Sequence, residues 1–432
     1  MNAAALANRS ALAGHMRIAF VSYEYAGIRD GGGIGTYVRN AAAMLAARGH
    51  AVEVFTSAEG GVTSGRTSGG VQIFSVDGPR VGFARAVLPA FLARHKVLPF
   101  DVVESAEYGA DLEAVQTAVP DLPRVVKLAT ASYQIGAIND AYVTPAAKLR
   151  FVAGALRRGQ WPRPFWGRYA PAVDPERAIT LAADLVTSPT AALLELTSQR
   201  WPIDVSRSSV VPYVFQARPE LLSLAASRPS SLVTFIGKLE VRKGVLELAR
   251  AIPRILRAMP DARFRFVGRT LPHPATREPL DLVIRRLAGA GAGHRIEFTG
   301  ALPYDEIPGT LADTAVGVFP SYWEAFGFVC LEAMAAGCGV VGSSAGGMAE
   351  IIEHGRTGLL VPPRSPRAIA DAVIALLRDP AQRARMGEAA RTHVLATYSE
   401  AAIGPLQEAA YRRAIERARG RTDRTLVRAS DG

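Results

Sequence analysis

The sequence predicts an α/β protein built from two doubly wound domains that face each other across a cleft. The first observation is an apolar strand pattern at residues 17–23, followed by a glycine-rich loop at 27–35 and a helix pattern at 36–48. The same order returns in the second half, with a strand pattern at 232–236, a loop at 237–244 and a helix pattern at 245–258. Such alternation is typical of parallel sheets covered by helices on both faces.

Composition indicates a globular protein and excludes several other classes. The chain has 432 residues, enough for two or three domains, with 49% apolar and 21% charged residues. No apolar run approaches the length of a membrane-spanning helix. Cys330 and Cys338 are the two cysteines, too few for a disulfide framework, which favours a reducing, cytoplasmic location. Residues 1–15 are Ala-rich without a signal-peptide layout, and we interpret them as a disordered leader.

The formal net charge of +11 favours contact with polyanions. Nucleotide-sugar phosphates, an anionic membrane surface and nucleic acid all fit a positive charge, and solubility alone explains it as well. Because the basic residues are scattered and no nucleic-acid motif is present, we do not expect a nucleic-acid partner.

The first half begins with one right-handed βαβ unit, in which the strand at 17–23 leads through the glycine loop and helix to a strand at 51–56. Gly32, Gly33 and Gly35 lie where the loop opens the helix, so that the backbone can approach a phosphate or a sugar; simple flexibility is the alternative. Residues 59–70 are rich in Gly, Ser and Thr and predict an exposed loop. Further strand patterns lie at 71–76, 101–105, 124–129, 183–189 and 209–213.

The segment 141–173 departs from this alternation. It has six basic residues and no acidic ones: Lys148, Arg150, Arg157, Arg158, Arg163 and Arg168. The same stretch holds Trp161, Phe165, Trp166 and Tyr169. One interpretation is a surface helix followed by a proline-containing loop. The other is a docking surface for an anionic membrane, since aromatic and basic side chains suit a bilayer interface.

In the second half, strand patterns at 232–236, 263–267, 295–299, 315–319 and 339–342 alternate with helical stretches, and residues 400–419 predict one long helix. The predicted divisions are therefore a Rossmann-like domain at 16–215, a second at 216–399, and a terminal helix and tail at 400–432.

Residues 320–350 hold the most informative pattern in the chain. Glu324 lies in the turn after an apolar strand, and Glu332 lies eight residues later inside the apolar helix pattern VCLEAMA. A buried carboxylate needs a partner, and a pair of sugar hydroxyls would satisfy it; a polar rim or a salt bridge is the alternative. The stretch closes on Gly346, Gly347 and Glu350. Glu350 fits two interpretations equally well: it shapes the turn of the site, or it is a packing or capping residue.

The two glutamates, with Phe326-Gly327 after the first and Gly-Gly-x-x-Glu downstream, resemble the donor site of retaining glycosyltransferases of family 4, which have the GT-B fold. The resemblance implies transfer of a hexose from a nucleotide-diphosphate sugar to a hydroxyl acceptor, without metal or other cofactor. It also implies that the terminal helix crosses back to the first domain.

The resemblance also assigns roles. Lys238 and Lys243 contact the diphosphate, Glu324 faces the donor sugar, and Glu332 holds the ribose hydroxyls. Three further groups line the substrates: the backbone at Phe326 and Gly327, the base-side turn at Ala301 and Leu302, and Gly32, Gly33 and Gly35 over the diphosphate.

Three positions depart from the family pattern. Lys238 follows Gly237 where an arginine is usual, which keeps the charge but loses a planar, two-pronged grip. Ala129 stands where many members have a histidine near the donor sugar and acceptor, so Thr130, Ser132 or Tyr133 takes over its contacts, or the acceptor geometry or the activity differs. Cys338 replaces a proline, which we interpret as a packing change.

Two other functions fit the same residues. A nucleotide-sugar 2-epimerase of this fold would need no acceptor, and a non-catalytic binder of nucleotide sugars or polyanions would need no chemistry. The sequence leaves open the donor base and sugar, the acceptor and its linkage, and the oligomeric state. The location is cytoplasmic, with peripheral contact at the inner face of the membrane as a hypothesis.

Overall fold

The structure is a computed structural model that describes residues 14–29, 32–59, 63–141, 145–162, 164, 166–167, 169–226 and 229–430. Side chains at 63–68, 139, 147 and 422–430 lie outside that description. The described residues form two compact units. The first holds the chain up to Ser132, then Ala170–Val214 and the last helix from Glu400; the second holds Tyr133–Tyr169 and Phe215–Ser399.

The first unit is built on a sheet whose strands run in the order β3-β4-β2-β1-β5-β6-β7-β8. All pairs are parallel except β3 with β4, so the doubly wound prediction is confirmed for this half. The strands are β1 (Arg17–Val21), β2 (Ala51–Ser57), β3 (Thr63–Ser68), β4 (Val71–Val76), β5 (Val102–Ala106), β6 (Arg124–Lys127), β7 (Leu185–Ser188) and β8 (Ser208–Val210).

Strand β3 corrects the prediction of an exposed loop at 59–70. It pairs antiparallel with β4 at the edge of the sheet, with Ser68 opposite Val71. The backbone ladder to β4 supplies the hydrogen bonds, so a Gly/Ser/Thr-rich sequence without an apolar pattern can still form an edge strand. Residues 60–62 lie outside the described part of the chain.

The second unit has an all-parallel sheet in the order β11-β10-β9-β12-β13-β14, again as predicted. Its strands are β9 (Leu232–Ile236), β10 (Arg263–Val267), β11 (Ile296–Gly300), β12 (Thr314–Phe319), β13 (Gly339–Ser343) and β14 (Leu359–Val361). β12 lies in the interior of the sheet and is buried along its whole length. Because every pair is parallel, the carboxyl ends of the strands share one edge, where ligands bind in sheets of this type.

Helices connect the strands in both units. In chain order they are α1 (Gly33–Ala47), α2 (Phe83–Val97), α3 (Glu113–Ala118), α4 (Ser132–Asp140), α5 (Pro145–Arg157), α6 (Pro175–Ala182), α7 (Ala191–Ser198), α8 (Pro219–Leu222), α9 (Val245–Ala258), α10 (Leu280–Ala288), α11 (Ile307–Ala312), α12 (Phe328–Ala335), α13 (Met348–Ile351), α14 (Pro366–Arg378), α15 (Pro380–Tyr398) and α16 (Glu400–Ser430). Within the described ranges, none of them combines the length and the hydropathy that a bilayer crossing requires.

The terminal helix α16 is bound to the first sheet through buried polar groups. Glu104, 1% exposed in β5, accepts hydrogen bonds from the Tyr37 hydroxyl at 2.5 Å and from the Gln407 amide at 2.6 Å. On the same helix, Glu408 accepts a hydrogen bond from the Arg48 guanidinium at 2.6 Å. Helix α16 therefore contacts the first unit through Gln407 and Glu408, although it follows the whole second unit in sequence.

Residues Tyr133–Tyr169 group with the second unit, although the sequence placed them in the domain at 16–215. Their described residues contribute helices α4 and α5 and no strand of the first sheet, so the sheet does not fix their membership.

Candidate functional site

The carboxyl edge of the second sheet gathers the residues that the sequence singled out. Lys238 and Lys243 follow β9, Glu324 follows β12, and Glu332 lies on the helix after that turn. Lys238 is exposed, whereas Lys243 and Glu324 are partly buried. The parallel topology therefore places the predicted donor-site residues of this half at one edge.

The loop after β9 is packed tightly against the turn after β12. Gly244 has φ +71°, and a Cβ atom there would lie 2.0 Å from the Pro320 carbonyl oxygen. Only glycine allows this approach, because both the left-handed backbone and the missing side chain are required. Lys243 is thereby placed next to the turn that carries Glu324, and α9 begins directly after it.

Lys243 and Glu324 form an ion pair through Nζ and Oε2, and the Ser321 hydroxyl donates to the same carboxylate at 3.2 Å. The side chains are 20% and 16% exposed. Burial alone would raise the pKa of Glu324, but the charges of Lys243 and Arg242 and these hydrogen bonds outweigh it and lower the pKa. Glu324 is therefore an ionised carboxylate next to a cation, which suits contact with a polar, charged ligand.

The Gly346-Gly347 turn holds the backbone of Glu324. Gly347 N–H donates to the Glu324 carbonyl at 2.7 Å, and a Cβ on Gly346, at φ +71°, would lie 2.4 Å from that oxygen. The exposed Glu350 accepts a hydrogen bond from the Tyr398 hydroxyl through its backbone carbonyl, at 3.4 Å. The two glycines of the Gly-Gly-x-x-Glu pattern thus fix the turn around Glu324.

Helix α12 carries Glu332 into the interior. Gly327, at φ +112°, caps the helix, and Phe326, 2% exposed, packs its ring on Phe328 and Tyr398 at 5.5 Å. Glu332 is 5% exposed. The carboxylate is thus as enclosed as the apolar pattern around it predicted. Only the backbone of Phe326 remains for a ligand, because its side chain belongs to the core.

The two cysteines of this region are buried, and their sulfur atoms are not joined in a disulfide. Burial and the Glu324 carboxylate raise the pKa of the Cys330 thiol, so it stays protonated. Nucleophilic thiolate chemistry therefore has no support at this position.

The predicted base-side turn follows β11. Gly300, at φ +74°, accepts a hydrogen bond from Gly268 N–H at 2.8 Å through its carbonyl, which ties the ends of β10 and β11 together. Ala301 is exposed and Leu302 half-buried. Their contact with a nucleotide base stays a prediction.

In the first unit, the glycine loop opens α1 as predicted. Gly32 N–H donates to the Glu24 carboxylate at 2.8 Å, and a Cβ on Gly35 would lie 3.2 Å from Ala26 N. Gly33 is the first helical residue and is exposed. Gly31 lies outside the described residues. An anionic group thus already lies at the start of this helix, provided by the protein itself.

Thr130 and Ser132 follow β6, where the family histidine is replaced. The Ser132 hydroxyl and N–H both donate to Glu176, at 2.5 and 2.7 Å, and Ala129 N–H donates to Glu107 at 2.7 Å. The Thr130 hydroxyl donates to the Ala129 carbonyl at 2.5 Å. The segment 129–132 is thus held by the carboxyl groups of Glu107 and Glu176.

Glu107 and Glu176 are residues that sequence reasoning missed. No carboxylate of the first domain stood out, although Glu107 directly follows the buried strand β5. It is 1% exposed, and burial raises its pKa to about 8; the Ala129 N–H opposes this rise and the Glu176 carboxylate adds to it. A glutamate at the carboxyl end of a buried strand was the available signal.

Among the described residues, no group of three or more His, Cys, Asp or Glu side chains is arranged to hold a metal ion.

Comparison with known proteins places the chain among glycosyltransferases. A family model described as Glycosyltransferase Family 4 matches residues 31–213, and one described as Glycosyl transferases group 1 matches residues 223–393. The D-inositol 3-phosphate glycosyltransferase of Nocardioides sp. is 28% identical over 385 residues, covering 84% of this chain and 81% of the relative.

Two solved structures share the fold. Sucrose-phosphate synthase from Thermosynechococcus elongatus has a TM-score of 0.66 at 23% identity, covering 96% of this chain and 100% of the other. Anabaena HepE in complex with UDP-glucose has a TM-score of 0.63 at 18% identity, covering 91% and 98%. With its two Rossmann-like units and the two family matches, the chain belongs to the group 1, family 4 glycosyltransferases of the GT-B fold.

Proposed function

We propose that the protein is a retaining glycosyltransferase that moves a hexose from a nucleotide-diphosphate sugar to a hydroxyl acceptor. The observation that carries this proposal is the Lys243–Glu324 ion pair at the carboxyl edge of the second sheet, beside the start of α9. A cation and the free N–H groups of a helix start suit a diphosphate, and a carboxylate beside them suits sugar hydroxyls.

In this proposal, the leaving diphosphate is stabilised by Lys243, by the exposed Lys238 and by the start of α9. Charge builds on the diphosphate as the glycosidic bond breaks, and the loss of one such contact typically costs about 10²–10³ in rate. Glu324 faces the donor sugar, and Glu332 accepts hydrogen bonds from the ribose hydroxyls.

Retention follows if the leaving phosphate takes the acceptor's proton on the face that it leaves. No metal ion or other cofactor takes part in this scheme. The acceptor is a hydroxyl of a glycan, a lipid-linked sugar or a small molecule. The roles of Gly32, Gly33 and Gly35 toward the donor and of Thr130 and Ser132 toward the acceptor stay predictions.

The donor is tested by a thermal-shift screen of UDP, GDP and ADP sugars, with UDP-glucose first because it occupies the related HepE structure. A ligand at about 100 times its dissociation constant adds about 2.7 kcal/mol to the free energy of unfolding. We expect stabilisation by one base class and its loss in Lys243→Ala. The exposed Arg257, on the far end of α9, gives a matched control, and Arg257→Ala should behave as wild type. Stabilisation by none of the nucleotides would contradict the proposal.

The reaction is tested on the identified donor with a panel of hydroxyl acceptors. The anomeric coupling in the product's NMR spectrum distinguishes retention from inversion, and turnover in EDTA tests metal independence. Conversion of the nucleotide sugar to its C2 epimer without acceptor would instead identify an epimerase. Binding of unrelated DNA that Glu332→Ala leaves unchanged would favour the polyanion binder.

We also propose peripheral contact with an anionic membrane through α5 and the residues after it. Leu149 and Leu156, seven residues apart on one helix face, are 70% and 56% exposed, and Trp161 is 84% exposed. Arg150 and Arg157 are exposed beside them. Exposed apolar side chains flanked by cations are the features of a helix that lies in a bilayer interface.

The other described aromatic residues of this segment are half-buried and pack on aromatic rings. Trp166 packs on Phe151 at 5.3 Å with the Lys148 ammonium 5.7 Å from its ring centroid, and Tyr169 stacks on Tyr133 at 4.5 Å. Arg163, Phe165 and Arg168 lie outside the described residues. Trp161 is therefore the described tryptophan of this segment that is suited to insertion.

Co-sedimentation with phosphatidylglycerol-containing and pure phosphatidylcholine vesicles tests the membrane contact. We expect binding to the anionic vesicles at low salt, and its loss when Leu149 and Leu156 become serine. Leu282, an exposed leucine (51%) on α10, provides the control variant Leu282→Ser. Equal binding by all variants, or none at low salt, would point to a soluble acceptor.

A further inference from the structure

Tyr322 links the two segments that carry Lys243 and Glu324. Its N–H donates to the Arg242 carbonyl at 2.8 Å, immediately before Lys243. Its hydroxyl donates to the Glu247 carboxylate at 2.5 Å, in the first turn of α9. One residue of the β12 turn therefore holds both the loop that carries the lysine and the helix that follows it.

The surroundings of Tyr322 are closed and charged. The side chain is 9% exposed, and Glu247, 6% exposed, also binds the Arg250 guanidinium at 2.9 Å. The Arg364 guanidinium lies 4.9 Å from the Tyr322 ring centroid. Burial raises the pKa of Tyr322 to about 12, with Arg364 opposing, so the hydroxyl remains a donor at neutral pH.

Arg364 adds an independent observation, because its backbone is in the left-handed region at φ +60°. For a residue with a side chain this conformation costs about 1–2 kcal/mol. Such a conformation persists where the surrounding structure requires it, and it often marks a functional site. Here it accompanies the position of the guanidinium over the Tyr322 ring.

We propose that Tyr322 is the positioning residue that sets Lys243 and the start of α9 relative to Glu324. The inference rests on the proposed function, in which Lys243 and the helix start receive the donor diphosphate. The hydroxyl touches neither substrate nor Lys243; it acts through Glu247 on the helix that begins directly after the lysine loop.

The physical reason is the precision that charge stabilisation requires. A cation and helix N–H groups act on a diphosphate at hydrogen-bond distance, and a displacement of about 1 Å weakens them strongly. The Gly244–Pro320 contact fixes one point between the two segments, and the Tyr322–Glu247 bond fixes a second, one turn further along the helix. Two contacts fix the orientation of the helix, whereas a single contact would leave the helix free to pivot.

The test compares a nucleoside diphosphate with its nucleoside, because only the former uses the diphosphate contacts. Dissociation constants of UDP and uridine, GDP and guanosine, and ADP and adenosine are measured by calorimetry for wild type and Tyr322→Phe. We expect the diphosphate to bind about 10-fold more weakly to Tyr322→Phe, as for a lost hydrogen bond to a charged group, with the nucleoside unchanged.

Two further variants separate positioning from general stability. Glu247→Gln keeps an acceptor for the Tyr322 hydroxyl and should retain most of the diphosphate affinity. Thr314→Val removes a buried hydroxyl at the amino end of β12, away from the carboxyl edge, where Thr314 and Thr234 share a hydrogen bond of 2.7 Å. This variant should bind both ligands as wild type does.

The other possible results of these measurements each contradict the proposed positioning role. Wild-type diphosphate affinity in Tyr322→Phe overturns the inference, and so does a parallel loss of nucleoside and diphosphate affinity, which would mark a purely structural residue. If Lys243→Ala itself leaves the preference for the diphosphate intact, the proposed role of Lys243 is wrong and the inference falls with it. If Lys243→Ala removes that preference and Tyr322→Phe does not, only the positioning role fails.

Discussion

Replacing Lys243 by alanine should weaken donor binding and also destabilise the second unit, and the two effects can be separated. The lysine contacts the Glu324 carboxylate, which is 16% exposed and would keep the charge of Arg242 and the Ser321 hydroxyl without the lysine ammonium. Two unit charges in contact near a protein surface attract by about 4 kcal/mol before desolvation and entropy. Removing one partner of a buried pair costs about 3–5 kcal/mol. Because this pair is partly exposed, we expect a loss of about 2–3 kcal/mol, or roughly 4–12 °C in the midpoint of the unit.

The destabilisation should depend on pH with a definite sign. In the wild type, the pKa of Glu324 is lowered: burial would raise it, but Lys243 and Arg242 outweigh burial. A lowered carboxyl pKa contributes stability above the unfolded-state value and loses that contribution as the pH falls through the folded-state value. The difference between wild type and Lys243→Ala should therefore be large at pH 7 and shrink below pH 4.

The double variant Lys243→Ala/Glu324→Gln gives the decisive comparison, measured by thermal unfolding and by nucleoside diphosphate binding. Without the unpaired charge, stability should recover, whereas diphosphate affinity should remain low because no cation has been restored. Recovery of both would refute the reasoning, since Lys243 would then serve only to neutralise Glu324. An equal loss of stability at pH 3 and pH 7 would refute the electrostatic origin of the effect.

Three other perturbations test separate parts of the structure. Gly244→Ala should cost more than about 2 kcal/mol in thermal unfolding, because its Cβ would lie 2.0 Å from the Pro320 carbonyl oxygen. Gly355→Ala, at φ +81° with no atom close to the added Cβ, should cost about 1–2 kcal/mol less than that; similar losses would contradict the packing argument. Glu107→Gln should remove a pH dependence of the free energy of unfolding. Burial raises the pKa of Glu107 to about 8 from its ordinary value of 4.5. Its contribution to stability is therefore complete below pH 4.5 and is lost as the pH rises toward 8. Chemical denaturation should show wild type losing stability relative to that variant between pH 5 and pH 8, and parallel curves would count against the raised pKa. Glu332→Gln should weaken nucleoside and nucleoside diphosphate equally, since the ribose is common to both; unchanged nucleoside affinity in calorimetry would exclude the ribose contact.

Local patterns predicted the sheet-forming elements well. The strand at Leu232–Ile236 follows from a short run that is apolar except for Thr234. The helix at Val245–Ala258 follows from apolar residues spaced along a longer stretch that begins after Gly244. Strand β3 could not be predicted, because it depends on the backbone ladder that β4 offers and not on its own composition.

The sequence predicted which residues belong to the site, but it did not predict which of them contact one another. Lys243 and Glu324 are 81 residues apart, so that only the parallel topology reveals their ion pair. In the sequence Tyr322 is an ordinary turn residue, and only the structure shows that its hydroxyl donates to Glu247. Glu176 lies in a helix whose sequence gives no sign that its carboxylate binds Ser132. Long-range pairs of this kind are set by the fold, and a local pattern does not contain them.

The return of α16 to the first unit also determines the order in which the two units are completed during synthesis. The chain leaves the first unit for the second time at Val214 and re-enters it at Glu400, so the second unit is made before helix α16 of the first. Until then the Glu104 carboxylate lacks the Gln407 amide that it binds in the finished fold. Domains generally fold as units while the chain emerges from the ribosome. Here the contiguous stretch from Phe215 to Ser399 can fold as it is made, and the unit that begins first is completed last.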